Sequence, residues 1–84
     1  MDKQTELMII TMEECGELTQ ACSKVLRTDF RKESVEDLSK EVADVMCMIE
    51  IMKDQGLIKH SDIVQGIQNK RTKLKIWSNL IVGS

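Results

Sequence analysis

Apolar residues recur at intervals of three and four in three stretches of this chain, near residues 3–27, 34–56 and 61–82. This spacing places apolar side chains along one face of an α-helix. The connecting stretches are short and polar, and no low-complexity segment separates them. The pattern therefore predicts three helices joined by short linkers.

Local sequence signals favour these boundaries. Ser34 followed by Asp37 resembles a capping box, in which side chains close the first turn of a helix. Gly56 suits the residue just after a helix end, which often adopts a left-handed conformation. Ser61 and Asp62 are both favoured N-caps for the third helix. We expect the second helix to begin near Ser34 and the third near one of these two residues.

Charged residues interrupt the apolar faces of all three predicted helices. Glu14 falls near the middle of the apolar sector of the first helix, and Glu17 lies at its edge. Glu41 and Asp44 share the face of the second helix that should pack inward, and Lys70 takes the central inward position of the third. Five charged residues thus stand where apolar residues are expected.

Four carboxylates and one lysine on inward faces make a specific chemical prediction. Buried charges are costly unless they are paired or bound to a metal, and Lys70 alone cannot balance four acids. Residues three apart are neighbours on a helix, so each pair offers oxygens from one face. Oxygen ligands without imidazole suit Mg²⁺, with Mn²⁺ as a second candidate. The other outcome is proton uptake with raised pKa values.

Residues 12–18 (MEECGEL) and 40–45 (KEVADV) together resemble the EExxE…ExxD signature of MazG-like nucleoside triphosphate pyrophosphohydrolases. The resemblance covers the two acidic helices, the loop between them and the basic third helix. It implies an all-α fold in which a three-helix protomer forms a helical bundle completed by dimerisation. It also implies Mg²⁺-dependent hydrolysis of a (d)NTP to (d)NMP and pyrophosphate, in the cleaning or control of nucleotide pools.

The resemblance also implies roles for particular residues. The catalytic metal ligands would be Glu14, Glu17, Glu41 and Asp44. The residues that hold substrate phosphates would be Asn69, Lys70, Arg71 and Lys73, with Lys70 favoured by its seam position. Glu13 or Glu17 could position or deprotonate the attacking water, and the sequence does not choose between them. Lys40 stands where many members of this family carry a second acid.

Composition and charge further limit the fold class of the protein and its possible partners. The chain has 84 residues, no proline and only two aromatic residues, which favours one helical domain over residues 1–84. Its net charge of −2 lacks the broad basic footprint of proteins that bind nucleic acid polymers. The longest apolar run, 45–49, is far shorter than a membrane span. We therefore expect no nucleic acid polymer and no membrane as partner.

Three cysteines occur, and none belongs to a CxxC pair. We expect all three to be reduced and buried, as in a cytoplasmic protein. The first residues do not resemble a signal peptide, which favours the same compartment.

The second helix is apolar almost all round, so three helices cannot easily cover it. We therefore expect a homodimer or tetramer, with Trp77 in the core or at the interface. An alternative function is a non-catalytic dimerisation module in which the acidic pairs bridge to Lys70 or Lys73 of a partner. A nucleotide or metal sensor without turnover is a further alternative. Stability that responds to Mg²⁺ rather than to ionic strength would favour the metal site.

Overall fold

The computed structural model describes residues 1–81, and over that range the chain forms three α-helices and no strand. Helix α1 spans Lys3–Arg27, α2 spans Lys32–Asp54 and α3 spans His60–Trp77. The all-α prediction is confirmed. Helix α3 ends at Trp77, earlier than predicted, because the backbone of Ser78 is extended (φ −137°, ψ 158°). Residues 78–81 are not helical, and Val82 lies outside the described residues. No described helix is both long and apolar enough to cross a membrane.

Residue contacts divide the chain into two compact units, Met1–Met52 and a second that begins at Lys53. The first unit contains α1 and most of α2, and the second contains α3. The expectation from length and composition of one helical domain over residues 1–84 stays a prediction.

In the first unit, α1 and α2 form an antiparallel hairpin. Lys24 pairs with Asp37 at 3.3 Å, and the hydroxyls of Thr28 and Ser34 share a hydrogen bond of 2.7 Å. Later residues of α1 thus meet earlier residues of α2, as antiparallel helices require. The buried apolar side chains of this hairpin are Leu7, Ala21, Val25 and Met48.

The start of α2 differs from the sequence prediction. The helix begins at Lys32, and the Val35 N–H donates to the Arg31 carbonyl at 3.1 Å. Ser34 therefore lies inside the first turn and is only 2% exposed. The predicted capping box is wrong because the Ser34 hydroxyl is engaged by Thr28, at the end of α1. This hydrogen bond links α1 and α2 next to the turn that connects them.

The other helix ends are closed in different ways. Asp2 caps α1 by accepting from the Thr5 N–H at 2.8 Å, and this hydrogen bond lowers the pKa of the Asp2 carboxyl. Helix α3 begins at His60, with Lys59 as an N-cap that makes no side-chain hydrogen bond. The predicted caps at Ser61 and Asp62 are therefore wrong. Asp62 instead lies in the first turn, where its negative charge interacts favourably with the helix dipole.

The turn between α1 and α2 uses the left-handed conformation without glycine. Asp29 has φ 51° and Phe30 has φ 61°. The Phe30 N–H donates to the Val25 carbonyl at 2.9 Å, and the Asp29 N–H donates to the Leu26 carbonyl at 3.3 Å. These two bonds are those of a Schellman motif, in which glycine is preferred at the residue that Asp29 occupies. The turn therefore carries backbone strain.

Replacing Asp29 by glycine should stabilise the hairpin, because glycine adopts positive φ without a steric penalty. We expect a gain of about 0.5–1 kcal/mol in the free energy of unfolding. A urea titration with unchanged slope measures the gain. Gly56, at φ 71°, is the matched control, and Gly56→Ala should lose stability. A destabilised Asp29→Gly variant would contradict this reading of the turn.

Several residues predicted to be buried are exposed. All three cysteines are free but exposed, Trp77 is 64% exposed, and α3 contributes no buried residue. The predictions of a buried thiol at each cysteine and of a core position for Trp77 are wrong for the single chain. In the first unit, one neighbouring helix covers only a narrow stripe of α1. An interface role for Trp77 stays a prediction.

Candidate metal centre

Four acidic side chains meet between α1 and α2. Glu14 and Glu17 come from α1, and Glu41 and Asp44 come from α2. One carboxylate oxygen of each lies within 4.8 Å of the corresponding oxygen of every other. The three-residue spacing in each helix turns both members toward the same side, and the antiparallel hairpin brings the two pairs together. We call these four residues the carboxylate cluster.

The cluster has a shielded side and an open side. Glu14 and Glu41 are half-buried, whereas Glu17 and Asp44 are exposed. One oxygen each of Glu14 and Glu41, Oε2 in both, is shielded from solvent and has no hydrogen-bond partner among the described residues. Shielded polar atoms without a partner are uncommon in folded proteins, and a bound ion is one explanation for them.

Electrostatics agrees with the geometry. Burial, followed by the charge of Glu17 and of the other cluster acids, raises the pKa of Glu14 above its usual range. The pKa of Glu41 is also raised, by burial first and then by Glu17, Asp44 and the neighbouring Asp37. Each acid would hold a proton more readily than an isolated glutamate does. A cation placed among these oxygens would reverse that effect, because it favours the charged carboxylate.

The protein itself supplies no cation to the cluster within the described residues. Among residues 1–81, the ion pairs are Lys24 with Asp37 at 3.3 Å and Lys32 with Glu36 at 3.9 Å. Neither pair includes a cluster residue. Four carboxylate oxygens at this separation fit the coordination of a hard divalent ion.

The basic residues singled out in the sequence lie on α3, in the second unit. Lys70 is exposed rather than inward-facing, and its ammonium lies 5.1 Å from the centre of the Trp77 ring. Asn69 accepts a hydrogen bond from the Gln65 amide at 3.0 Å. Arg71 and Lys73 are exposed. The assignment of these four residues to substrate phosphates stays a prediction.

A groove of about 370 Å³ continues from the carboxylate cluster along the hairpin. Glu17 and Glu41 belong both to the cluster and to the groove lining. The other charged residues that line it are Lys24 and Arg27 from α1 with Asp37 and Lys40 from α2. We call this feature the interhelical groove.

Sequence reasoning did not find the interhelical groove, although a signal was present. Glu17, Gln20, Lys24 and Arg27 follow one another at intervals of three, four and three, which places them on one stripe of α1. Taken alone, such a polar stripe reads as a solvated helix face. Only the pairing of α1 with α2 shows that the stripe lines a groove.

These features define an all-α protein with an acidic, metal-compatible site between two antiparallel helices. Residues 2–75 match the MazG nucleotide pyrophosphohydrolase domain, and the chain belongs to this family. Neither the comparison with curated proteins nor the comparison with solved structures gives a match.

Proposed function

We propose that this protein is a Mg²⁺-dependent nucleoside triphosphate pyrophosphohydrolase that converts a (d)NTP to (d)NMP and pyrophosphate. The observation that carries the proposal is the carboxylate cluster, with its two shielded and unpartnered oxygens, in a chain of the MazG family. The role that follows is the cleaning or control of nucleotide pools.

In this proposal, Glu14, Glu17, Glu41 and Asp44 hold Mg²⁺, and Mn²⁺ is a substitute. A bound divalent ion neutralises phosphate charge, orients the triphosphate and makes water a better nucleophile. The chain's own part is to fix the ligand oxygens. Glu14 and Glu41 do so from the shielded side of the cluster, and Glu17 and Asp44 do so from the side open to substrate.

Glu17 is the better of the two candidates for accepting the proton of the attacking water. It belongs to the cluster and is exposed, whereas Glu13 lies outside the cluster. Water attacks in line, the bond between the α- and β-phosphates breaks, and pyrophosphate leaves. The proposed roles of Asn69, Lys70, Arg71 and Lys73 are to hold phosphate oxygens and to stabilise the charge that develops on them.

The proposal includes a homodimer, with a tetramer as a further assembly. In the first unit, Met8 and Met12 on α1, and Val42 and Met46 on α2, form exposed stripes at intervals of four residues. Met12 is 65% exposed and Met46 57% exposed. A second copy would remove these stripes from water, which favours association. We also propose the cytoplasm as the location, because three exposed free thiols persist in a reducing compartment.

A panel of NTPs and dNTPs, each with Mg²⁺ and with EDTA, tests the activity. Pyrophosphate release is measured beside nucleoside monophosphate formation. We expect equal amounts of both products, dependent on the metal, from at least one nucleotide. Absence of release from every nucleotide, by folded protein with Mg²⁺ present, would contradict the proposal.

A non-catalytic dimerisation module is the second candidate, because the exposed methionine stripes suit association without any reaction. In that case the acidic pairs would bridge to lysines of a partner, and salt would weaken the assembly. A sensor would bind nucleotide or metal without turnover. The panel separates both from the enzyme, and a Mg²⁺-specific gain in stability separates the sensor from the dimerisation module.

A further inference from the structure

The interhelical groove changes character along its length. Its start is acidic, where Glu17 and Glu41 are shared with the carboxylate cluster. Further along, three cations line it: Lys24, Arg27 and Lys40. On α1, Arg27 lies ten residues beyond Glu17, which corresponds to about 15 Å of helix. A molecule held at the cluster can therefore extend past these cations.

Two of the three cations are free to bind a ligand. Lys24 is paired with Asp37, and both side chains are about half exposed. Arg27 and Lys40 take part in no ion pair among residues 1–81. Charged donors that line a cavity without a protein partner are suited to anionic oxygens.

The remaining lining argues against a nucleobase in this groove. Proteins commonly hold bases by stacking them on aromatic rings. The described lining contains no aromatic residue, and Ala21 is its one apolar member. Beyond the two acids shared with the carboxylate cluster, three cations and one carboxylate, Asp37, line the groove. This part of the groove is therefore suited to a polyanion and poorly suited to a flat, uncharged ring.

We propose that the interhelical groove holds the β- and γ-phosphates of the substrate, and afterwards the pyrophosphate product, through Arg27 and Lys40. The identity of the substrate as a nucleoside triphosphate rests on the proposed function. The groove adds a phosphate-binding site on α1 and α2 to the residues proposed on α3. The triphosphate runs from the carboxylate cluster into the groove, so the leaving group lies among cations when the α–β bond breaks. Lys40, the position at which the chain departs from its family's acid, gains a specific role.

The test is the binding of inorganic pyrophosphate to the full chain at saturating Mg²⁺, measured by isothermal titration calorimetry. Arg27→Gln and Lys40→Gln should each weaken binding about tenfold, since each removes a charge-assisted contact. Lys32→Gln is the matched control, because Lys32 is an exposed lysine of α2 outside the groove. It should leave the dissociation constant unchanged. Circular dichroism of each variant checks that the helices remain.

A further variant is expected to strengthen, rather than weaken, pyrophosphate binding. Asp37→Asn removes the partner of Lys24 and a negative charge from the groove. Pyrophosphate should then bind several-fold more tightly, because a third cation becomes available. Loss of an exposed ion pair has little effect on stability, so the variant should fold.

The nucleoside end is tested with the common deoxynucleoside monophosphates in the same buffer. Their binding should change less than twofold in Arg27→Gln and Lys40→Gln. Equal weakening of monophosphate and pyrophosphate, unchanged pyrophosphate binding in both variants, or no pyrophosphate binding by the wild type would each overturn the inference.

The test of the groove and the test of the proposed enzyme activity can fail independently. If the protein hydrolyses nucleotides but its affinity for pyrophosphate is unchanged in Arg27→Gln and Lys40→Gln, only the groove assignment is overturned. Pyrophosphate binding that depends on both residues, without hydrolysis of any nucleotide, would uphold the groove and overturn the enzyme.

Discussion

Replacing Glu14 by glutamine is expected to lower metal-dependent turnover by about a hundred- to a thousandfold, with the hairpin still folded. Glutamine keeps the shape of the side chain but cannot supply the negative charge that a divalent ion requires. The loss follows the size seen when one preorganised electrostatic contact is removed from an active site. Asp44→Asn should act in the same way from the open side of the cluster. Initial rates at saturating Mg²⁺ measure both effects.

Glu50→Gln is the matched control for these variants. Glu50 is an exposed glutamate on α2 that lies outside the carboxylate cluster. Its replacement removes the same charge from the chain without touching the cluster, so the rate should stay within about twofold of the wild type. Full activity in Glu14→Gln or Asp44→Asn would contradict the assignment of these residues as metal ligands.

Mg²⁺ should raise the melting temperature strongly at neutral and alkaline pH. A ligand present at a hundred times its dissociation constant stabilises the folded state by about 2.7 kcal/mol. For a chain of this size, that corresponds to roughly 10–20 °C. Sodium chloride at equal ionic strength is the control, since it screens surface charges without occupying the cluster. Equal shifts with the two salts would favour the dimerisation module instead.

The metal-free protein should lose stability as the pH rises. Burial and the neighbouring acids raise the pKa of Glu14 and of Glu41, so the folded chain holds more protons than the unfolded chain above their usual pKa. The stability of the folded state therefore falls as the pH rises through the raised pKa values. Melting curves in EDTA from pH 5 to pH 8 measure this fall.

Variants and metal identify the origin of that pH dependence. Glu14→Gln and Glu41→Gln should each flatten it, because an amide does not titrate. Saturating Mg²⁺ should remove it as well, since the metal favours the charged carboxylates. A metal-free melting temperature that is flat or rises across this range would contradict the proposed repulsion within the cluster.

The helices and the cluster could be predicted because they depend on spacing within single helices. Intervals of three and four predicted α1 near residues 3–27, where the structure has it, and they placed Glu14, Glu17, Glu41 and Asp44 on the inward faces of two helices. The family resemblance rested on these four positions together with Glu13, and the match over residues 2–75 confirmed it.

The features that could not be predicted depend on contacts between helices. Ser34 has the residue type of an N-cap, but Thr28 takes its hydroxyl, and the helix begins earlier. Cys22 was expected to be buried, yet the partner helix leaves it exposed. Arg27 and Lys40 read as solvated charges until the hairpin brings them to one groove. Local propensity describes each helix and not what the neighbouring helix covers.

Phosphorus NMR of one nucleotide with the wild-type protein and Mg²⁺ shows whether the protein is a pyrophosphohydrolase. The spectrum distinguishes cleavage between the α- and β-phosphates from cleavage of the terminal phosphate. We expect equal growth of the nucleoside monophosphate and pyrophosphate signals, abolished by EDTA and by Glu14→Gln. Formation of nucleoside diphosphate and inorganic phosphate, or an unchanged triphosphate spectrum for every nucleotide tried, would contradict this expectation.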